Sequence, residues 1–260
     1  MLPGSTMAAI AARHYLLAGV AQDTFGWGYR DPASQQILGF DIDMVRAVAR
    51  AIFGDDKHLR LVVVPNAQRI AALTAKPPAV DIVAETMTIT CDRRQQVDFS
   101  AVYFDAGQEV LVPTTSPIQT DADLAGKRVC AAAGSTSLAN LATRIHVDPP
   151  VVRIQARNQT DCLVMLQQGQ VDAVSTDNTI LTGMQGQDPT LRMVGPVFSA
   201  EPYGMAIAKG HSDFTAFVNG VLAQLEADGG WRSSYQRWLA PDMPLARITP
   251  PVPHYVGGSS

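Results

Sequence analysis

Strand-like and helix-like segments alternate along most of this 260-residue chain. Short apolar β runs, such as 16–20, 61–64 and 80–84, alternate with segments whose apolar residues recur at helical spacing. This alternation predicts an α/β fold with largely parallel sheets, because parallel strands need a crossover that is usually a helix. A second series of the same kind follows between about 124 and 175.

The β runs 110–112 and 205–208 flank this second series and are the natural crossovers between two lobes. A chain of this length can form a hydrophobic core in each lobe. We therefore predict a first lobe made of 13–110 and 204–245, and a second lobe made of 113–201. Residues 246–260 are predicted to be a proline-rich tail that ends in a flexible linker remnant.

Composition excludes two classes of protein. The net charge is −4 and no lysine or arginine cluster is present, so we expect no nucleic-acid partner. No uninterrupted apolar segment reaches the roughly 20 residues that a membrane helix needs. The start of the chain lacks the pattern of an intact signal peptide. If the protein is exported, we expect this sequence to be a mature or recombinant form.

One segment has the pattern of a carboxylate site. Thr86, Thr88 and Thr90 alternate after an apolar run, so their hydroxyls can share one face of an extended segment. Arg93 or Arg94 follows one short turn later. Because a guanidinium is a planar fork of donors, it can bind a carboxylate through two hydrogen bonds.

This segment, T-M-T-I-T-x-x-R followed by V-D-F-S, resembles the bacterial extracellular solute-binding proteins of family 3, which capture polar amino acids for ABC importers or sensors. The resemblance runs from about residue 16 to 239. Within the family, the segments T-C-D-R-R, R-V-C and D-C-L-V-M-L-Q-Q and the prolines near 250–253 resemble actinobacterial, including mycobacterial, glutamate- and glutamine-binding lipoproteins. Further matching segments, in family order and spacing, are 39–43, 80–82, 123–129, 134–137, 171–177 and 203–206.

The resemblance implies a periplasmic-binding-protein type II fold, with two α/β lobes joined by a two-stranded hinge. It also implies a monomer outside the cytoplasm, tethered to the membrane by a lipid in its full-length form. The expected partners are a small amino-acid ligand and either an ABC permease or a membrane sensor. We expect no enzyme activity, cofactor or metal. The alternative is a cyclohexadienyl-dehydratase-like enzyme on the same fold, with Glu85 or Glu109 as its general acid or base.

The same resemblance implies a set of ligand-binding residues. The spacing R-x-x-x-V-D-F assigns the α-carboxylate of the ligand to Arg93, although an arginine here can also merely cap a surface helix. Thr88 is expected to contact the ligand through its backbone and hydroxyl, and Thr86 is expected to accept from the ligand ammonium. Asp177 is expected to pair with that ammonium, or else to cap the helix that follows.

Gly134 follows a predicted strand and precedes a predicted helix, so free backbone N–H groups there can complete the carboxylate site. We expect Thr136, supported by Ser135, to contact the ligand, and either hydroxyl can also act as an N-cap. The aromatic residues Phe25 and Trp27 are expected to form a lid over the ligand. The alternative for such aromatic residues is a place in the core.

Side-chain specificity is assigned to Arg69. Its position resembles the glutamate- and aspartate-binding branch, in which an arginine reaches the distal carboxylate, whereas glutamine binders generally lack it. An exposed helix arginine is the alternative. Glu85 departs from the family pattern, because an unpaired carboxylate facing the cleft would repel an acidic ligand. We therefore predict glutamate or aspartate as the ligand, with glutamine or asparagine as the alternative.

The three cysteines have no metal-site spacing. Cys130 ends a strand-like segment and Cys162 lies in a helix-like one, so a disulfide is geometrically possible if the two segments are neighbours in one lobe. An isolated cysteine is otherwise a small buried apolar side chain. We predict the Cys130–Cys162 disulfide, which implies an oxidising compartment, and a free Cys91.

Overall fold

The computed structural model describes residues 2–241, 243 and 251. Within this part of the chain, two five-stranded sheets and one small three-stranded sheet are covered by helices. The strands are β1 Leu16–Val20, β2 Asp23–Thr24, β3 Gly28–Arg30, β4 Ile37–Leu38, β5 Leu59–Val63, β6 Ile82–Val83, β7 Val97–Phe99, β8 Phe104–Pro113, β9 Arg128–Ala132, β10 Val152–Ala156, β11 Ala173–Asp177, β12 Leu191–Tyr203 and β13 Ala206–Ala208. The helices are α1 Thr6–Ala12, α2 Phe40–Phe53, α3 Arg69–Thr74, α4 Cys91–Gln96, α5 Thr136–Thr143, α6 Gln159–Gln167, α7 Asn178–Gln187, α8 Ser212–Ala227 and α9 Gly230–Trp238.

The first sheet has the strand order β5-β1-β6-β13-β7. Strand β1 is parallel to both β5 and β6, whereas β13 is antiparallel to β6 and β7. We call this sheet and the helices packed on it the first lobe. Its core is rich in aromatic residues, including Phe40, Phe104, Trp231 and Tyr235.

The second sheet has the strand order β10-β9-β11-β8-β12. Strand β9 is parallel to β10 and β11, and β8 is antiparallel to β11 and β12. We call this sheet, with α5, α6 and α7, the second lobe. The two lobes confirm the predicted α/β fold class, and the parallel strands follow the predicted alternation of strands and helices.

Two long strands connect the lobes. Strands β8 and β12 pair from Phe104 with Tyr203 to Pro113 with Leu191, with a register shift between Val194 and Ser199. The prediction that 205–208 forms the second crossover is wrong. Strand β13 lies inside the first sheet, so the chain has already returned to the first lobe, and β12 makes the crossing.

Local signals explain several element ends. Helix α2 stops at Gly54, whose φ of 85° is left-handed and suits glycine. Helix α6 starts at Gln159, because Asn158 and Asp161 form a reciprocal capping box. Helix α1 was not predicted.

The second lobe contains a disulfide between Cys130 of β9 and Cys162 of α6, with Cα atoms 5.5 Å apart. Cys91 is free and exposed. The predicted pairing is therefore present in the structure, and both bonded cysteines are fully buried in the core beneath α6.

The predicted lobe boundaries at 110, 113, 201 and 204 stay a prediction. The predicted tail, 246–260, lies outside the described residues apart from Pro251. In the described part of the chain, every helix is too short or too polar to span a bilayer.

Candidate ligand-binding site

Seven of the nine residues predicted to bind the ligand line one cavity between the lobes. The cavity encloses only about 10 Å³, which is roughly the space of one water molecule, so the two lobes are closed on each other. The predicted residues in its wall are Arg69, Thr86, Thr88, Arg93, Ser135, Thr136 and Asp177. Their contact with a ligand stays a prediction.

Arg93 lies in the first turns of α4, which Thr90 caps by accepting a hydrogen bond from the Arg93 backbone N–H at 3.2 Å. Its guanidinium donates to the Thr88 carbonyl at 2.7 Å and to the Gly134 carbonyl at 3.0 Å. Burial, together with the nearby charge of Arg69, lowers the pKa of Arg93 to about 9. An anionic ligand group would relieve this cost of burying a cation.

Arg69 is buried, so it is not the exposed helix arginine that was the alternative. Its guanidinium donates to the carbonyls of Asn66 at 3.0 Å, Glu85 at 2.9 Å and Gly134 at 3.3 Å. Because a guanidinium has five N–H donors, two are left for another partner. Arg69 and Arg93 thus converge from the first lobe on a single carbonyl of the second.

That carbonyl belongs to Gly134, at the turn that leads into α5. A Cβ atom placed on Gly134 would lie 2.5 Å from the Cα of Ala67 in the first lobe, and its φ is 73°. Only glycine permits this close approach. Ser135 is the N-cap of α5, because its hydroxyl accepts from the Leu138 N–H at 3.1 Å.

Thr86 has a φ of 41°, which is uncommon for a residue with a branched side chain. Its backbone N–H donates to the buried carboxyl of Asp41 at 2.9 Å, and Asp41 also accepts from the Tyr103 hydroxyl at 2.7 Å. Burial raises the pKa of Asp41 to about 7. Asp41 is therefore the support that holds Thr86 in this conformation at the cavity wall.

Thr88 and Thr136 face each other from opposite lobes, with their hydroxyl oxygens 3.3 Å apart. Both donate to the same oxygen of Glu201, each at 2.7 Å. The other Glu201 oxygen accepts from Ser199 at 2.6 Å and from Asn140 at 2.9 Å. Glu201 was missed by the sequence analysis, because nothing near it on β12 marks it as a partner of these threonines.

Asp177 stands at the N-cap position of α7 but makes no side-chain cap hydrogen bond. Its carboxyl instead accepts from the Tyr203 hydroxyl at 2.6 Å. Burial, with the nearby charge of Glu201, raises the pKa of Asp177 to about 7. A cationic group in the cavity would favour its charged form, as expected for an ammonium partner.

The expected lid role of Trp27 is wrong for this structure. Trp27 is 0% exposed, and its ring packs edge-on against Phe40, Phe104 and Tyr203 in the first-lobe core. An aromatic ring this large is favoured in the core because of the apolar surface that it buries. Phe25 is partly buried beside Tyr29, and its role as a lid stays a prediction.

Glu85 lies beside the site rather than in its wall. It lines an adjoining cavity of about 200 Å³ with residues that include Asp23, Pro65 and Asn158. Burial raises the pKa of Glu85 to about 8. Glu109, the other candidate general acid, lies on β8, where it accepts from the Asn178 side chain at 3.4 Å and lines neither cavity.

Five more residues line the small cavity, none of which the sequence analysis selected. Uncharged residues carry little signal of a ligand contact in a single sequence, although Ser137 and Thr176 lie inside the matching segments 134–137 and 171–177. The five residues are Asn66, Ser137, Gln159, Thr176 and Ile180. Among the described residues, no cluster of three or more metal-ligating side chains is present.

Two α/β lobes that close on a polar cavity, and that are joined by two strands, define a solute-binding protein of the type II class. A family model for bacterial extracellular solute-binding proteins, family 3, matches residues 16–241. The chain therefore belongs to this family, whose members are solute-binding proteins rather than enzymes.

Relatives and solved structures agree with this membership. The ABC transporter glutamine-binding protein GlnH of Bacillus subtilis (strain 168) is 37% identical over 238 residues, which cover 91% of this chain and 85% of that protein. The glutamate-binding protein GluB of Corynebacterium glutamicum is 31% identical over 239 residues, covering 86% and 77%. The structure of holo ArgBP from T. maritima has a TM-score of 0.76 at 31% identity, covering 84% of this chain and 93% of that one. The cysteine-binding protein from Campylobacter jejuni has a TM-score of 0.85 at 26% identity, covering 92% and 94%.

Proposed function

We propose that this protein reversibly binds a polar L-amino acid outside the cytoplasm and presents it to a membrane partner. The partner is an ABC permease or a membrane sensor. The protein acts as a monomer, tethered by a lipid in its full-length form. Family membership supports the capture of a solute, and the relatives that bind glutamine and glutamate support an amino acid of that type.

The observation that carries the proposal is the pair of groups of opposite charge in the wall of one cavity, Arg93 and Asp177. Arg93 provides a fork of donors for the α-carboxylate, and Asp177 provides a carboxylate for the α-ammonium. Arg93 comes from the first lobe and Asp177 from the second. An amino acid bound between them would join the lobes, so its binding energy would favour the closed form.

The side-chain end of the ligand is assigned first to an acidic group. Arg69 is buried in the cavity wall and keeps two N–H donors for a distal carboxylate. The second candidate is a carboxamide, as in glutamine or asparagine. It is favoured by Glu85, whose carboxyl beside the site would repel an acidic ligand when ionised, and by the glutamine-binding relatives at 37% and 39% identity.

Calorimetric titration with each of the twenty amino acids tests the proposal. We expect glutamate, aspartate, glutamine or asparagine to bind most tightly, and apolar amino acids to bind at least about tenfold more weakly, which is about 1.4 kcal/mol. Binding of none of the twenty would contradict the function. A pull-down of membrane partners would separate the two roles: capture of an ABC permease would indicate transport, and capture of a membrane sensor would indicate sensing.

A further inference from the structure

Three buried side-chain polar atoms have no hydrogen-bond partner among the described residues. They are Trp27 Nε1, Glu85 Oε2 and Gln159 Oε1. Trp27 belongs to the first-lobe aromatic core, where its ring packing accounts for its position. Glu85 is 2% exposed and Gln159 is 4% exposed. Since buried polar groups are rarely left unpaired, these two residues require an explanation.

Glu85 and Gln159 lie where the ligand site meets a second cavity. Gln159 lines the small cavity with Arg69, whereas Glu85 lines the adjoining 200 Å³ cavity. The two cavities share a wall. At three places along the chain, one residue lines the larger cavity and the next residue lines the smaller one. These consecutive pairs are 65 with 66, 85 with 86, and 158 with 159.

The two residues come from opposite lobes. Glu85 immediately precedes Thr86 in the first lobe, and Gln159 is the first residue of α6 in the second. Next to them, Asp23 of the first lobe joins Thr160 of the second through hydrogen bonds of 3.2 Å and 2.7 Å. Glu85 and Gln159 therefore lie on opposite sides of the gap between the closed lobes, where the two cavities meet.

Several charged groups surround Glu85. The guanidinium of Arg69 donates to its backbone carbonyl at 2.9 Å, and Arg93 is the second cation that acts on it. The carboxyls of Asp23 and Asp41 act in the opposite sense, and Arg157 lines the same cavity. Burial raises the pKa of Glu85 to about 8, so this carboxyl carries a proton near neutral pH.

We propose that the terminal group of the bound side chain reaches the wall between the two cavities, where Glu85 and Gln159 contact it, and that an acidic side chain binds only while Glu85 carries a proton. This inference rests on the proposed binding of a polar amino acid. A carboxylate accepts hydrogen bonds but donates none, so it pairs with protonated Glu85 and is repelled by the ionised form. A carboxamide both donates and accepts, so it pairs with either form of Glu85. It also complements the amide of Gln159.

The test is the ratio of the dissociation constants of L-glutamate and L-glutamine, measured by calorimetry on the whole chain at pH 6, 7, 8, 9 and 10. Both ligands share the α-ammonium and the α-carboxylate, so the ratio cancels the titration of those groups, of Asp177 and of Arg93. We expect a nearly constant ratio below pH 7. Above about pH 8 we expect the ratio to rise in favour of glutamine, approaching tenfold per pH unit.

The Glu85→Gln variant should have a ratio that no longer changes above pH 8, because glutamine cannot ionise. Glu226→Gln, which removes a carboxyl from α8, outside the lining of both cavities, should keep the wild-type pH dependence. A pH dependence that persists in Glu85→Gln comes from another carboxyl, such as Asp23 or Asp41, and counts against this inference. The Gln159→Leu variant should weaken glutamine binding by at least about tenfold, the loss that follows from one unpaired polar partner.

A constant ratio from pH 6 to 10 in the wild-type protein would overturn this inference, and that series needs no variant. Retention of the pH dependence in Glu85→Gln would also overturn it, as would unchanged glutamine binding by Gln159→Leu. Failure of both amino acids to bind at every pH would overturn the proposed function and this inference together. Binding of both with a constant ratio would overturn the inference alone.

Discussion

Glu201 accepts a hydrogen bond from the hydroxyl of Thr88 at 2.7 Å, and this bond fixes the direction of the one proton that this hydroxyl can donate. The lone pairs of the Thr88 hydroxyl are then left for a donor in the cavity. Thr136 donates to the same Glu201 oxygen, so its hydroxyl is constrained in the same way. The cavity that Asp177 lines therefore presents two hydroxyl acceptors, which suit a ligand ammonium better than a ligand carboxylate.

The Glu201→Gln variant tests this arrangement. The Glu201 carboxylate accepts four hydrogen bonds, two at each oxygen. A glutamine amide has one oxygen that accepts and one NH2 group that does not. Two donors would then face an NH2 group. We expect a loss of about 1–3 kcal/mol in ligand binding, measured by calorimetry at pH 7. Glu226→Gln should bind as the wild type does, and an equal loss in both variants would contradict the role of Glu201.

Arg93→Ala should abolish amino-acid binding with little change in the free energy of unfolding, because it removes the carboxylate partner from the cleft. Arg93→Lys should also fail, since one ammonium cannot replace a planar fork that reaches two acceptors. Arg94→Ala is the matched control, because Arg94 lines a different surface pocket and is absent from the site wall. Affinity retained within about twofold by Arg93→Ala would remove Arg93 from the ligand site.

Arg69→Gln should weaken the binding of glutamate and aspartate more than that of glutamine and asparagine. Only an acidic side chain would leave a buried charge without its partner. We expect the difference to be about 2 kcal/mol or more by calorimetry. Equal losses of affinity for acids and amides would mean that Arg69 does not bind the ligand side chain. Its role would then be to stabilise the closed lobes through its hydrogen bond to the Gly134 carbonyl.

The two-lobed fold could be predicted because its strands are short apolar runs separated by amphipathic helices. Strand β1 follows from such a local pattern, because the predicted run 16–20 is the observed strand. The second crossover could not be predicted in the same way. Strand β12 contains Gly195 and Pro196, which are rare inside strands, so only its pairing with β8 identifies it as a strand.

The site was partly predictable for a similar reason. Arg93 and Asp177 carry charges inside recognisable motifs, whereas Glu201 and Gln159 gain their meaning only from residues far away in sequence. Glu201 meets Thr88 across 113 positions. The lid role of Trp27 came from the resemblance, and the sequence does not show whether the ring of such a residue turns toward the ligand or into the core.

The disulfide predicts a defined thiol count. In the oxidised protein, alkylation without reduction should label one cysteine, Cys91, because Cys130 and Cys162 are bonded and buried. Replacing both bonded cysteines with alanine should lower the free energy of unfolding by about 2–4 kcal/mol, since their bond closes a loop of 32 residues. Cys91→Ser should leave stability unchanged. Labelling of all three thiols by mass spectrometry would contradict the bond.

The buried carboxyls predict an unusual dependence of stability on pH. Burial raises the pKa of Asp41 and Asp177 to about 7 and that of Glu85 to about 8, whereas unfolded carboxyls titrate near pH 4. Between these values the folded state binds more protons than the unfolded state, so the free energy of unfolding decreases as the pH rises. This stability is fully present below about pH 4 and is lost as the pH passes through about 7 to 8.

We therefore expect urea denaturation of the ligand-free protein to give a lower midpoint at pH 8 than at pH 5. Glu85→Gln should make the decline of the midpoint between pH 7 and 8 shallower, because glutamine does not ionise and so has no proton to lose on unfolding. Asp188→Asn is the control: hydrogen bonds from Thr190 lower the pKa of exposed Asp188, so it stays ionised from pH 5 to 8 in both states. A midpoint that rises from pH 5 to 8 would mean that these carboxyls are ionised in the folded protein, and that Glu85 has no proton to offer an acidic ligand.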